Sequence, residues 1–253
     1  MKKNVFNIAL MLFFVTSFCF ACLKTVTPET QSTPAEQAGA MRELLNLSVD
    51  TSCLRLSQVK QINSTTGYNG NIDVQIPFAP FIQTNETILS ANVRAGLSRV
   101  ARLKTLINTA AENTALLVRR DLQNVVMTLD EADLPPLVLA DVFSGTSYLQ
   151  SKVQQIPAPT ETNNPIHIFK QNYLREFKKK LAFLGADTAF SNIISEYNSL
   201  ATVTDLDTLN AQWKEFSSEK AILAIFLRMK DTEKNIRQKP INHTTVLLKK
   251  VFG

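Results

Sequence analysis

The stretch IFKQNYLREFKKKL, residues Ile168 to Leu181, decides the fold of this chain. Large apolar side chains recur in it at every fourth residue: Phe169, Tyr173, Phe177 and Leu181. This spacing is typical of an amphipathic helix that buries one face. We predict a helix with a basic outer face, ended by Gly185, which readily adopts the left-handed conformation of a C-terminal cap.

The same periodicity predicts helices on both sides of this stretch. Apolar residues from Ala40 to Lys60 indicate a helix, a break at Asp50-Thr51-Ser52 and a second short helix. The stripe from Val93 to Val126 indicates one long bent helix or a helical hairpin. Two more helices are expected over Ala189–Leu200 and, capped by Ser217 or Ser218, up to Gln238.

Turn signals separate these helices. Thr128 and Glu131 have the spacing of a capping box, which predicts a helix start, and Gly145 would end that helix. Prolines make the stretch from Gln154 to Pro165 a loop. Two further prolines predict a short extended segment over Val74–Phe81.

The composition is that of a globular protein, with 45% hydrophobic and 19% charged residues. Only 7 glycines in 253 residues disfavour an all-β chain rich in tight turns. We therefore predict an all-α bundle of about six to eight helices. The formal net charge of +5, to which Lys2 and Lys3 contribute two, is too small to indicate a nucleic-acid partner.

Residues 1–21 have the order of an export signal. Lysines begin the chain, an apolar run follows, and Ala21 places a small residue at the expected cleavage site. The apolar run is shorter than the roughly 20 residues that span a bilayer. We predict an exported chain, periplasmic or lipid-anchored to an envelope membrane, with a disordered tether over residues 22–39 and one helical domain over residues 40–253.

The mature chain would begin at Cys22 and contain one other cysteine, Cys53. Two fates of Cys22 exclude one another. It is either the lipid-modified first residue of a bacterial lipoprotein, which leaves Cys53 unpaired, or it forms a disulfide with Cys53 in an oxidising compartment. The sequence leaves both open.

Few side chains indicate catalysis. His167 and His243 are the only histidines, and no histidine or cysteine spacing indicates a metal site. The sequence has neither a glycine-rich phosphate loop nor a G-x-S-x-G motif. We expect no catalytic residues, no cofactor and no metal. Lysines 178–180 are expected to be a solvated helix face, with an anionic lipid or cell-wall polymer as the alternative partner.

The chain ends in TTVLLKKVFG, residues 244–253, after Glu233, Arg237 and Pro240. This tail resembles the C-terminus of a widespread family of exported bacterial proteins of unknown function, and the resemblance spans residues 74–253. It implies a mostly helical exported domain and carries no catalytic residues. The positions that match motifs of this family are Met127, Thr128, Asp130, Gly185, Tyr197, Lys220, Arg237, Thr244, Thr245, Leu248, Lys249, Lys250, Phe252 and Gly253.

The tail has an apolar edge formed by Leu247, Leu248, Val251 and Phe252. It either docks into the core and closes the domain or offers an amphipathic peptide to a partner. We predict a non-catalytic module that binds a protein, a lipid or a small apolar ligand. The alternatives are a hydrolase that acts on envelope material and a structural or assembly lipoprotein.

Overall fold

A computed structural model describes residues 32–58, 66–80, 82–83, 96–155, 163–200 and 213–253, apart from the side chains of 96–98 and 196–200. No β-strand occurs in these residues, which confirms the all-α fold. Nine α-helices have their bounds within them: α1 (Pro34–Ser57), α2 (Gly96–Ala115), α3 (Arg119–Met127), α4 (Pro135–Leu139), α5 (Ser144–Gln154), α6 (Pro165–Phe183), α7 (Ala186–Leu200), α8 (Trp213–Gln238) and α9 (Val246–Phe252).

Some sequence predictions lie outside the described residues. They are the signal at residues 1–21, Cys22, most of the tether, Phe81, residues 156–162 of the predicted proline-rich loop and the side chain of Tyr197. Within the part that the structure describes, no helix is both long and apolar enough to cross a membrane.

Helix α1 packs against α2, α3, α4, α8 and α9. The predicted break at Asp50-Thr51-Ser52 is wrong, because the helix continues from Pro34 to Ser57. Its core-facing serines, Ser48 and Ser52, are small enough to be buried without interrupting the helix. The tether over residues 22–39 is wrong at its end, since α1 begins at Pro34, whose fixed φ suits the first position of a helix.

Helix α6 confirms the prediction made from its four-residue repeat. All four repeat side chains have 0% exposure, and the Phe169 and Tyr173 rings meet edge to face with centroids 6.3 Å apart. The helix packs on α2 and α3. Gly185 follows it with φ +73°, as expected of a left-handed cap.

The described part of the stripe, residues 96–126, contains two helices. A turn over residues 116–118 separates α2 from α3, and both helices pack on α1 and α6. The polar residues 112–114 lie within α2 instead of ending it. Thr114 is compatible with the helix because its hydroxyl donates to the carbonyl of Ala110 at 2.7 Å.

The capping box predicted from Thr128 and Glu131 is wrong. Thr128 is the C-terminal cap of α3, where its hydroxyl donates to the carbonyl of Val125 at 2.8 Å. Asp130 caps the next turn, a 3-10 helix over Glu131–Asp133, by accepting from the amide of Ala132 at 3.0 Å. Thr128 therefore belongs to the helix before it, and α4 begins only at Pro135.

Two other boundaries differ from the predictions. The extended segment predicted over Val74–Phe81 can span at most residues 75–79, because Val74 ends a 3-10 turn and Pro80 is helical. Helix α8 begins at Trp213, before the predicted serine caps. The Trp213 ring stacks on Phe190 at a centroid distance of 4.8 Å, which holds this earlier start against α7.

Candidate functional site

A buried carboxylate from α8 caps the N-terminus of α5. The oxygens of Glu233 accept hydrogen bonds from the amides of Gly145 at 3.0 Å and Thr146 at 2.7 Å. The first amides of a helix have no partner within it and attract negative charge. Glu233 is 0% exposed, so it acts as an N-cap supplied from far along the chain.

Arg237 lies one turn further along α8 and completes this site. Its Nη2 is 2.8 Å from Oε1 of Glu233, and its guanidinium lies 5.2 Å from the ring centroid of Phe252. The guanidinium also donates to three other oxygens: Leu137 O at 3.0 Å, Val138 O at 3.1 Å and Ser144 Oγ at 3.0 Å. This buried ion-pair site therefore joins α4, α5, α8 and α9.

Gly145 was predicted to end a helix, and this is wrong. It is the second residue of α5, where the absence of a side chain lets Glu233 reach the amide. A Cβ at this position would lie 2.7 Å from Sδ of Met41 and 3.0 Å from Oε1 of Glu233.

We expect Gly145→Ala to destabilise the domain by about 1 to 3 kcal/mol, the usual range for an overpacked core. Elsewhere within a helix the same substitution stabilises by about 1 kcal/mol. The sign of the change in the free energy of unfolding, measured by urea denaturation, therefore tests the contact. A more stable variant would contradict it.

A second buried glutamate, Glu112, stabilises a turn that contains Gly67. Oε1 of Glu112 accepts from the amide of Asn69 at 2.8 Å, and Gly67 has φ +72°. A Cβ on Gly67 would come within 2.6 Å of the same oxygen. Burial raises the pKa of the Glu112 carboxyl above its ordinary value of 4.5, while the hydrogen bond from Asn69 acts in the opposite direction.

Because the pKa of Glu112 is higher in the folded state, the folded protein binds more protons here than the unfolded chain does. Its contribution to stability therefore falls as pH rises from below 4.5 through the raised value. We expect Glu112→Gln, which keeps an acceptor and has no charge, to gain stability relative to wild type over that interval. Urea denaturation of both proteins at a series of pH values measures the difference between their free energies of unfolding. If the wild type became more stable relative to Glu112→Gln as pH rises, the result would contradict the prediction.

The C-terminal tail docks on α1 as helix α9. Leu248 is fully buried, and Leu247, Val251 and Phe252 pack against the core. Thr245 caps the helix by accepting from the amide of Leu248 at 3.2 Å. Two polar contacts complete the docking: the Thr245 hydroxyl donates to Glu43 at 3.0 Å, and Lys250 pairs with Glu36 at 2.6 Å. The Gly253 amide ends α9 by donating to the Lys249 carbonyl at 3.1 Å. Of the two predicted arrangements, the structure has the docked one.

The remaining family positions do not form one cluster with Arg237 and Phe252. The sulfur of Met127 accepts from Asn46 at 3.8 Å, and Lys220 lies 5.2 Å from the ring centroid of Phe216. Thr128, Asp130 and Gly185 form caps, as described above. Thr244 and Lys249 are exposed.

The histidines and the lysine run have structural surroundings. His243 is buried, with Nε2 2.8 Å from the carbonyl of Ile236, and His167 is half-buried. Lys178 pairs with Glu215 at 2.5 Å and Lys179 with Glu176 at 2.8 Å, which partly neutralises the basic face of α6. No group of histidine, cysteine and acidic residues suited to a metal ion occurs in the described ranges.

A cleft of about 250 Å³ opens between α5, α6 and α8. We call it the apolar cleft; its lining residues are Val153, Gln154, Lys170, Glu219, Ile222, Leu223 and Phe226. Phe226 is fully buried. Leu223 also lines a neighbouring cleft of about 320 Å³, together with Leu227 and Lys220.

The roles of Glu233, Glu112 and Gly145 differ from, or are absent from, the predictions made from the sequence. A signal for the first was present, because Met229, Glu233 and Arg237 are spaced four residues apart and therefore share one face of α8. A charged pair on the buried face of a helix indicates a buried ion pair. The local sequence around Gly145 and Thr146 contains no signal that their amides bind Glu233.

The geometry defines an all-α domain that is closed by its C-terminal helix and held by a buried ion pair. Residues 31–253 match the model of a family described as protein of unknown function (DUF4197), and the chain belongs to this family. The predicted resemblance is confirmed, and the match begins upstream of the residue 74 at which the resemblance starts. No curated protein and no solved structure matches the chain.

Proposed function

We propose that this chain is an exported, non-catalytic binding protein that holds a small apolar ligand in the apolar cleft. The observation that carries the proposal is the lining, whose apolar part consists of Val153, Ile222, Leu223 and Phe226. Sites between the helices of a bundle are common places for ligands. The volume of the apolar cleft lies just under the range of drug-sized sites, about 300 to 1,000 Å³. It therefore suits a ligand with one or two rings or a short acyl chain.

The polar side chains of the cleft favour an uncharged polar end on the ligand. Lys170, Glu219 and Gln154 offer one cation, one anion and one amide. Their charges cancel, so a hydroxyl or amide group on the ligand finds donors and acceptors there without an unbalanced charge.

The buried ionisable groups support binding over catalysis. Glu233 is engaged with two amides and Arg237, Glu112 with the amide of Asn69, and His243 with a backbone carbonyl. Each of these groups stabilises the fold at a helix end or a turn, and none of them lines the apolar cleft.

The test is a fluorescence titration with 1-naphthylamine, a neutral two-ring aromatic probe, followed by competition with octanol and octanoate. We expect saturable binding and stronger competition by octanol. Leu223→Glu should weaken binding at least about tenfold, a change of about 1.4 kcal/mol. Leu227→Glu is the matched control, because Leu227 is 42% exposed and lines only the neighbouring cleft. Equal effects of the two substitutions, or no saturable binding, would overturn the proposal.

We further propose that Cys22 is lipidated, which would anchor the chain to an envelope membrane, and that it does not form a disulfide with Cys53. The support is Cys53, which is a free thiol with 0% exposure inside α1. Burial raises the pKa of this thiol to about 12, so the reactive thiolate is scarce at neutral pH. A disulfide would require α1 to expose it.

The intact mass of the protein from its native host, purified with membranes and without reductant, tests this address. A mass increased by two or three acyl chains on Cys22 is expected. In the same sample, Cys53 should react with a maleimide only after denaturation. A mass for residues 22–253 that is lower by two hydrogens would establish the disulfide and contradict lipidation.

A further inference from the structure

A groove of about 630 Å³ lies between α1 and the C-terminal part of α8. We call it the C-terminal groove. Its walls combine apolar, hydroxyl, amide and cationic side chains: Leu47, Thr51, Arg55, Thr232, Asn235, Ile236, Lys239, Ile241, Asn242 and Thr244. It is separate from the apolar cleft, with which it shares no lining residue.

The groove is electropositive. Arg55 and Lys239 are exposed, and neither has an ion-pair partner within the described part of the chain. No carboxylate belongs to the described lining. On the same helix as Arg55, Glu43 accepts from the Thr245 hydroxyl at 3.0 Å, and Asp50 lies 3.4 Å from Arg119. Two cations are therefore left to attract an anion.

An apolar side chain projects beside these cations. Ile241 is 90% exposed in the 3-10 turn Pro240–Asn242, directly after Lys239. Val246, which begins α9, is 84% exposed. Large apolar side chains in this position are unfavourable in water, and next to cations they are typical of surfaces that enter the headgroup layer of a membrane.

We propose that the C-terminal groove binds the headgroup of an anionic phospholipid in a membrane surface. Arg55 and Lys239 neutralise the phosphate, the hydroxyls of Thr51 and Thr244 offer hydrogen bonds to it, and Ile241 enters the acyl boundary. The projecting isoleucine distinguishes this partner from an acidic peptide, which the cations alone would attract.

The test is flotation with lipid vesicles, using the chain from residue 23, which contains the whole described domain and lacks Cys22. We expect binding to vesicles of phosphatidylglycerol and phosphatidylcholine in equal parts, and little to phosphatidylcholine alone. Arg55→Gln and Lys239→Gln should each lower the partition coefficient about fivefold. Ile241→Ser should lower it about tenfold or more. All three positions are exposed, so the variants should keep the wild-type melting temperature.

Arg120→Gln is the matched control, since it removes an exposed cation of α3 that does not line the C-terminal groove. It should leave the partition coefficient nearly unchanged. An equal loss with this variant would show unspecific attraction and overturn the proposal. Inhibition of vesicle binding by glycerol phosphate, at concentrations equal to that of the lipid, would also overturn it, because it would indicate a site for small anions. The same holds if Ile241→Ser binds vesicles like the wild type and the protein binds polyglutamate tightly, because these results would indicate an acidic peptide as the partner. Failure of this test leaves the probe titration of the apolar cleft unaffected.

Discussion

Glu233→Gln should destabilise the domain by about 3 to 5 kcal/mol, the cost of removing one partner from a buried ion pair. The substitution leaves the Arg237 guanidinium, whose side chain is 6% exposed, without its counter-charge. It also places an amide group against the backbone amides of Gly145 and Thr146, which need an acceptor. Urea denaturation followed by circular dichroism measures the loss.

A control for this prediction lies on the same helix. Asp231 is ion-paired with Arg228 at 3.2 Å but is 52% exposed, so Asp231→Asn should cost less than about 1 kcal/mol. In a double-mutant cycle, Glu233→Gln and Arg237→Gln should show a coupling energy of about 2 to 3 kcal/mol. The prediction fails if Glu233→Gln costs no more than Asp231→Asn.

Deletion of residues 246–253 should cost about 4 kcal/mol or more. It exposes the site of Leu248, for which truncation alone costs about 2 to 5 kcal/mol, and removes the packing of Val251 and Phe252. The deletion also removes the Phe252 ring, which contacts the Arg237 guanidinium. In a domain of this size the loss corresponds to a fall in melting temperature on the order of 10 °C, which calorimetry detects.

Two single variants locate the origin of this effect. Leu248→Ala should reproduce a large part of the loss, while Val246→Ala should change little because Val246 is 84% exposed. An unchanged melting temperature after the deletion would mean that the tail is dispensable for the fold and free to bind a partner.

Helices with a regular apolar repeat could be predicted from the sequence. In α6 the repeat places Phe169, Tyr173 and Phe177 on one face, and in α9 the edge around Leu248 faces the core. In both helices the side chains that the apolar spacing predicts to be buried are the ones that pack in the core, because each helix is stabilised by the burial of one face.

Polar residues misled the prediction where tertiary contacts decide their role. In α1 a serine at position 52 indicates a break locally, yet the bundle buries it. Thr128 has a helix-start spacing but caps the end of α3, since its hydroxyl reaches the carbonyl three residues before it. Such choices depend on where the chain turns next, which local sequence does not specify.

The candidate sites were less predictable than the fold. Arg237 and Phe252 emerged from the family resemblance, but their contact, and the capping of α5 by Glu233, join segments far apart in sequence. The apolar cleft likewise combines α5, α6 and α8, and the C-terminal groove combines α1 with α8. Periodicity predicts which face of a helix is buried and carries no information on its neighbour.

The most direct test of the proposed function is a methyl-resolved NMR titration of the domain with octanol. We expect saturable shift changes at the methyl groups of Val153, Ile222 and Leu223, with little change at Leu247 and Leu248 in the docked tail. Shift changes that are confined to other parts of the molecule, or that rise linearly without saturation, would contradict a ligand site in the apolar cleft.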